Sequence, residues 1–202
     1  SGRGEAVRLT GVSTITTTPE AVTLTLPQGP FSASDLDDIP CDGRKWEVID
    51  GMLVVNPSPI GRHQTCVGEL YVLLRSACPA EFRVILSPYD WVTPSGDRLE
   101  PDLLVVRRSE FESGGHLHAT PLLCAEVLSP SNPAYDTAVK RARYEALGVP
   151  AYWMADPVSP GRLVALNLVG GQYQEVADCS GAQPFEAAFP FPVRVLPSDL
   201  VD

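Results

Sequence analysis

Apolar and polar positions along the 202-residue chain change period several times, and each change marks an element. Trp46-Glu47-Val48-Ile49 and Met52-Leu53-Val54-Val55 are β-rich runs around Asp50-Gly51, the turn pair of a tight hairpin. Over 61–76 the period becomes helical: Val67, Leu70, Leu74 and Ala77 form a stripe, with His63 one turn earlier on the same side. Strand-like runs follow at 83–87, 90–93 and 103–106. Residues 122–128 are apolar throughout except for Glu126, as in a strand buried on both faces. Residues 129–133, Ser-Pro-Ser-Asn-Pro, break the chain, and the spacing predicts a helix over 134–147, ended by Gly148 and Pro150. Residues 151–155 read as a strand. The runs at 163–168 and 173–176 flank Gly170-Gly171 as a second hairpin, and one more strand is expected at 193–195.

Near the start, Ser34 to Asp38 predicts a short capped helix closed by Pro40. Residues 1–30 are rich in Thr, Gly and Ser and read as an arm, flexible or an edge strand, within which Val22 to Leu26 alternates. The sum is one domain over 31–202, α/β or mixed α+β, with a mixed sheet and few helices. The 20 prolines imply many loops and short elements.

Composition narrows the class. With 44% apolar and 20% charged residues the chain is globular. The longest uncharged run, the 14 residues between Glu20 and Asp35, is too short and too polar to span a membrane. Five cysteines without a C-x-x-C spacing read as reduced thiols, and the start lacks the apolar core of a signal peptide, so a cytoplasmic protein is expected. A net charge of −10 and a pI near 4.7 argue at first against a phosphate-rich partner.

The candidate chemistry begins with Glu126. A carboxylate in an apolar strand needs a cation, whether Arg, Lys or a metal. Asp102, after Pro101 and before the strand at 103–106, sits at the edge of a second apolar strand; its plainer role is a turn residue. Two carboxylates at the ends of neighbouring core strands make an oxygen site for a hard divalent cation. Lys140 shares a helix stripe with Asp136 and Tyr144, and with Arg141 and Arg143 it forms the one dense basic patch. Glu47 faces away from Trp46 and Val48, towards either solvent or the site. His116-x-His118 lies in a Gly-rich loop, and Asp156 precedes Pro157; both read as surface or turn features. No phosphate-cradling Gly-rich loop or nucleophile elbow is present, so no nucleotide cofactor is expected.

Several motifs in order carry a resemblance. They are Lys45 to Gly51, Asn56-Pro57-Ser58-Pro59 with His63, Glu100 to Val105, Glu126 to Ser131, Asp136 with Lys140 and Tyr144, and Gly148 to Pro157. Over about residues 31–170 they resemble the Uma-two family of endonucleases, within the PD-(D/E)xK restriction-endonuclease-like superfamily. The resemblance implies a mixed central sheet flanked by helices, with Mg²⁺ or Mn²⁺ on Asp102 and Glu126. It places Glu47 at the family's N-terminal acidic position, where it would hold a second metal ion or a metal-bound water. It also implies that Lys140 replaces the usual lysine two residues after the second carboxylate, a slot held here by Leu128.

The implied activity is hydrolysis of phosphodiester bonds in DNA, with His63, Ser129 and Tyr144 in supporting roles. A homodimer is expected, because two sites reach both strands, and no membrane partner is. The competing expectation is a catalytically inactive module of the same fold that binds or assembles. The charge is also uneven: residues 44–108 hold 8 basic and 8 acidic residues. Weak, salt-sensitive nucleic-acid binding through the patch at Lys140 to Arg143 is therefore expected.

Overall fold

A computed structural model describes residues 13–15, 24–26, 30–37, 39, 44–56, 60–129 and 135–201. Two short strands of the arm, β1 (Ser13–Ile15) and β2 (Leu24–Leu26), pair antiparallel with each other. Much of the expected alternation at 22–26 thus finds a partner within the arm itself. Pro40, Cys41, Pro57 to Pro59, Pro130 to Ala134 and the side chain of Asp136 lie outside the described residues.

The first hairpin joins β3 (Lys45–Ile49) to β4 (Met52–Asn56). Its turn residues Asp50 and Gly51 have φ of 49° and 74°, the doubly positive turn that matches strand twist. Helix α1 (Gly61–Ala77) follows, then β5 (Phe82–Leu86), β6 (Trp91–Val92), β7 (Arg98–Leu99) and β8 (Leu103–Arg107). Next come β9 (Leu123–Val127), α2 (Arg141–Ala146) and β10 (Ala151–Asp156). The second hairpin is β11 (Arg162–Val169) with β12 (Gln172–Ser180), and a small terminal one is β13 (Phe185–Ala187) with β14 (Val193–Val195).

The central sheet runs β12-β11-β10-β9-β8-β5, and only β9 and β10 are parallel. A parallel pair needs a crossover, and here the crossover carries α2. A second sheet, β4-β3-β7-β6, lies beside it. Period-two alternation divides the central strands between two cores. Leu103, Val105, Leu123, Ala125, Val127 and Trp153 join Cys66, Leu70 and Leu74 of α1. Leu104, Cys124, Tyr152 and Met154 face the other way, with Tyr144 of α2 and with Ile49, Trp91 and Leu99 of the second sheet.

Three expectations shift. The capped helix near 34 is a 3-10 helix, Ala33–Leu36, whose cap is Ser32: its backbone N–H and hydroxyl both donate to Asp35. The helix expected over 134–147 is a π-helical turn, Tyr135–Lys140, running into the short α2. Apolar spacing alone does not distinguish that widened turn. β7 and β13 were not anticipated, being too short to show a period.

Gly161 closes the turn before β11 with φ +81°, and a Cβ there would collide with the Pro197 carbonyl. Gly171 has the same φ but open space around it. The left-handed cost of about 1–2 kcal/mol is common to both positions. Gly161→Ala should therefore lose clearly more stability in urea unfolding than Gly171→Ala; equal losses would contradict the close approach.

Candidate active site

Glu47 is set by strand alternation. Trp46 and Val48 pack with Leu36 on one face of β3, so Lys45, Glu47 and Ile49 take the other. That face meets the central sheet, not solvent, because Ile49 belongs to the core shared with Tyr144 and Cys124. Glu47 is 0% exposed, which removes its solvent-facing alternative. Asn56 Nδ2 donates to its Oε2 at 3.0 Å and the Glu100 backbone N–H to its Oε1 at 2.9 Å.

Asp102 and Glu126 come from neighbouring strands. The β8–β9 ladder pairs Leu103 with Ala125, and the same register continued one residue sets Asp102 against Glu126. Glu126 shares a face with Cys124 and so points towards α2. There Lys140 Nζ meets its Oε1 at 2.7 Å, and the Tyr144 hydroxyl, one turn further on, donates to the same oxygen at 2.7 Å. Lys140 Nζ also lies 3.5 Å from Glu47 Oε1. Lys140 therefore joins two carboxylates.

Asp102 is held from three sides. Lys45 Nζ donates to its Oδ1 at 3.1 Å and the Val127 backbone N–H to its Oδ2 at 2.9 Å. His63 Nε2, from the first turn of α1, lies 3.2 Å from Oδ2. The other ring nitrogen, Nδ1, is buried with no hydrogen-bond partner among the described residues. Burial opposes the charge of Asp102, but the Lys45 ammonium, with the His63 bond and Lys140, outweighs it and holds the carboxyl well below the ordinary range. Lys45 is the mirror case: burial alone would lower it, and Asp102 raises it above the ordinary lysine value.

Cysteine chemistry is disfavoured here. Burial, then Asp102 and Asp156, pushes the Cys66 thiol up to about 12. Burial and Glu126 push Cys124 up as well, and a thiol held protonated is no nucleophile. Burial and Glu126 likewise keep Tyr144 a hydroxyl donor.

The structure thus gathers Glu47, Asp102, Glu126, Lys140, His63 and Tyr144. Ser129 is half-buried, two residues beyond β9. His116 sits at the surface with Nδ1 3.3 Å from Asp90, and Asp156 accepts from the Val158 N–H in a turn, as expected of both. The basic patch expected at Lys140 to Arg143 does not form a phosphate-binding surface. Lys140 is buried, and Arg143 is tied to Asp97, Asp50 and Ser95, leaving Arg141 exposed. Lys45 was missed as a site residue. The signal lay in lysine scarcity: of 15 Lys and Arg residues only Lys45 and Lys140 are lysines, and both are here.

Among the described residues no group of three or more His, Cys, Asp and Glu side chains is gathered to hold a metal ion. Lys45 caps Asp102, and Lys140 bridges Glu126 and Glu47. The donor set nevertheless suits a hard divalent cation in type, being all carboxylate oxygen. It also suits one in charge, because three carboxylates against two ammonium groups leave one negative charge.

A model of the Uma2 family, described as "Putative restriction endonuclease", matches residues 33–195. A crystal structure from Anabaena variabilis ATCC 29413, described as a "putative nuclease belonging to DUF820", is similar in fold. The TM-score is 0.66 at 19% identity, over 85% of this chain and 97% of that one. No curated protein matches. Among the described residues no helix is long and apolar enough to cross a membrane.

Two tests follow from the ion pairs. Lys140→Met leaves Glu126 and Glu47 buried without their cation and should cost about 3–5 kcal/mol in urea unfolding. Glu126→Gln added to it should recover part of that loss; a neutral Lys140→Met would show that the cluster is not ionic. Asp102, with its lowered carboxyl, stabilises the fold fully above the unfolded value of about 3.9 and loses that contribution as pH falls through the lower folded value. Asp102→Asn should therefore flatten the rise in stability between about pH 2 and 5, read by thermal unfolding across that window.

Proposed function

The chain belongs to the Uma2 family over residues 33–195, and we propose that it is a metal-dependent endonuclease hydrolysing phosphodiester bonds in DNA. One observation carries the reading: Asp102 and Glu126, opposed on adjacent strands, share a buried cluster with a lysine supplied from the turn before α2. Asp102 and Glu126 would hold Mg²⁺ or Mn²⁺, with Glu47 as the third acid. When bound, such an ion polarises a phosphate oxygen and lowers the pKa of a water.

The chain's own groups do the positioning. The Val127 N–H and His63 fix the Asp102 carboxylate, and Tyr144 and Lys140 fix that of Glu126. Asn56 and the Glu100 N–H keep Glu47 aimed at Lys140. In the reaction, water adds to phosphorus, the bond to the leaving oxygen breaks, and the proton lost by water balances the one that oxygen gains. Charge supports the reading: a divalent ion turns the cluster's one negative charge into one positive, which a phosphodiester monoanion then cancels. Cutting both strands takes two such sites, so the proposal includes a homodimer.

A second reading is a non-catalytic module of this fold. It is favoured by the lysines that already neutralise the carboxylates without a gathered metal cluster. Alanine is a poor probe here, since Glu126→Ala would remove the oxygen that Lys140 and the Tyr144 hydroxyl share in the core. The near-isosteric Asp102→Asn and Glu126→Gln should each cut Mn²⁺-dependent cleavage of duplex DNA by about a hundredfold or more, the scale at which mutagenesis reads lost electrostatic stabilisation. Calorimetry should also show Mn²⁺ binding by the wild type and its loss in Asp102→Asn. A folded wild type that binds no divalent ion would favour the second reading; cleavage unaffected by chelator would overturn the first.

A further inference from the structure

Outside the cluster the chain's paired cations are arginines. Arg98 is tied to Asp37 and Asp90, Arg162 to Asp178, and Arg194 to Glu186. A guanidinium is a rigid fork suited to a permanent pair, whereas an ammonium is a compact charge on a flexible stem that exchanges partners readily. The only two lysines, Lys45 and Lys140, both pair within the cluster.

The two are not equivalent. The Lys140 side chain is 2% exposed and its Nζ joins Glu126 and Glu47, side chains that are 2% and 0% exposed. The Lys45 side chain is 16% exposed, and Asp102 and His63 beside it are 11% each. The floor of the cluster is therefore Glu47, Glu126 and Lys140, and its accessible rim is Lys45, Asp102 and His63. Asp102 also keeps the Val127 N–H and His63 if Lys45 turns away. Lys140 instead bridges two carboxylates that are buried more deeply than Asp102, and moving it would remove a buried cation from both.

We infer that Lys45, and not the helix lysine, contacts the phosphodiester group of the nucleic acid, while Lys140 holds Glu126 and Glu47 in place. This assignment rests on the nuclease reading of the site. It departs from the role that family resemblance implies for Lys140.

The test is equilibrium binding of a fluorescein-labelled DNA duplex, with Ca²⁺ in place of Mg²⁺, across a NaCl series. Wild type, Lys45→Met and Lys45→Arg are compared. Removing one ammonium–phosphate pair lowers the slope of log K against log salt by about 0.9. Lys45→Met should bind about tenfold or more weakly with that decrease in slope, and Lys45→Arg should restore the slope. A wild-type measurement guards against misfolded variants: reductive methylation read by mass spectrometry should label Lys45 and spare Lys140, and bound DNA should protect Lys45. An unchanged slope in Lys45→Met, or Lys45 labelled equally with and without bound DNA, overturns the assignment and leaves the nuclease reading standing. No salt-dependent binding of duplex or single strand by the wild type overturns the nuclease reading and this inference with it.

Discussion

Three carboxylates and two ammonium groups share a space almost closed to water, and much of the fold is arranged to hold them there. Glu47 and Lys45 come from β3, Asp102 from the approach to β8, Glu126 from β9, Lys140 from the turn into α2, and His63 from α1. An unpaired ion at this depth costs several kcal/mol, so each of these groups constrains the element that carries it. The ion pairs need not be a net gain in stability, since apolar replacements of similar volume often do as well. That a core made of Leu, Val, Trp and Tyr retains three carboxyl and two lysine side chains at one point is the physical reason to look for chemistry there.

The lysines also reinterpret the acidity. A charge of −10 is hard to reconcile with a broad phosphate-binding face. Two arginines are committed to acids, Arg143 to Asp97 and Arg98 to Asp90. Attraction for a phosphodiester would therefore arise inside the cluster, through a metal ion and a lysine, instead of over a surface patch. Affinity of that kind is local and depends on which cation occupies the carboxylates.

Much of this was legible along the chain. Period two around Asp50-Gly51 and the buried run at 122–128 located β3, β4 and β9, and the 3.6-residue stripe located α1 with His63 on its inner side. A carboxylate in an otherwise apolar strand led to Glu126 and its cation, and order of motifs led to Asp102, Lys140 and Glu47. What escaped was tertiary. Whether the second face of β3 meets solvent or another sheet depends on where the hairpin docks, so the burial of Glu47 could not be read locally. The π-helical turn has no apolar signature. Lys45 escaped because its partner, Asp102, lies 57 residues away, although it heads the first motif of the resemblance and is one of only two lysines.

The central claim is that Asp102 and Glu126 form the seat of a divalent ion, with Lys45 on Asp102 when none is bound. A crystal soaked in Mn²⁺ and measured at the manganese absorption edge tests it most directly. The account predicts an anomalous peak between the Asp102 and Glu126 carboxylates, with Lys45 displaced from its present oxygen and Lys140 retained on Glu126. Absence of a peak at saturating Mn²⁺, with the Lys45–Asp102 and Lys140–Glu126 pairs intact, would contradict it.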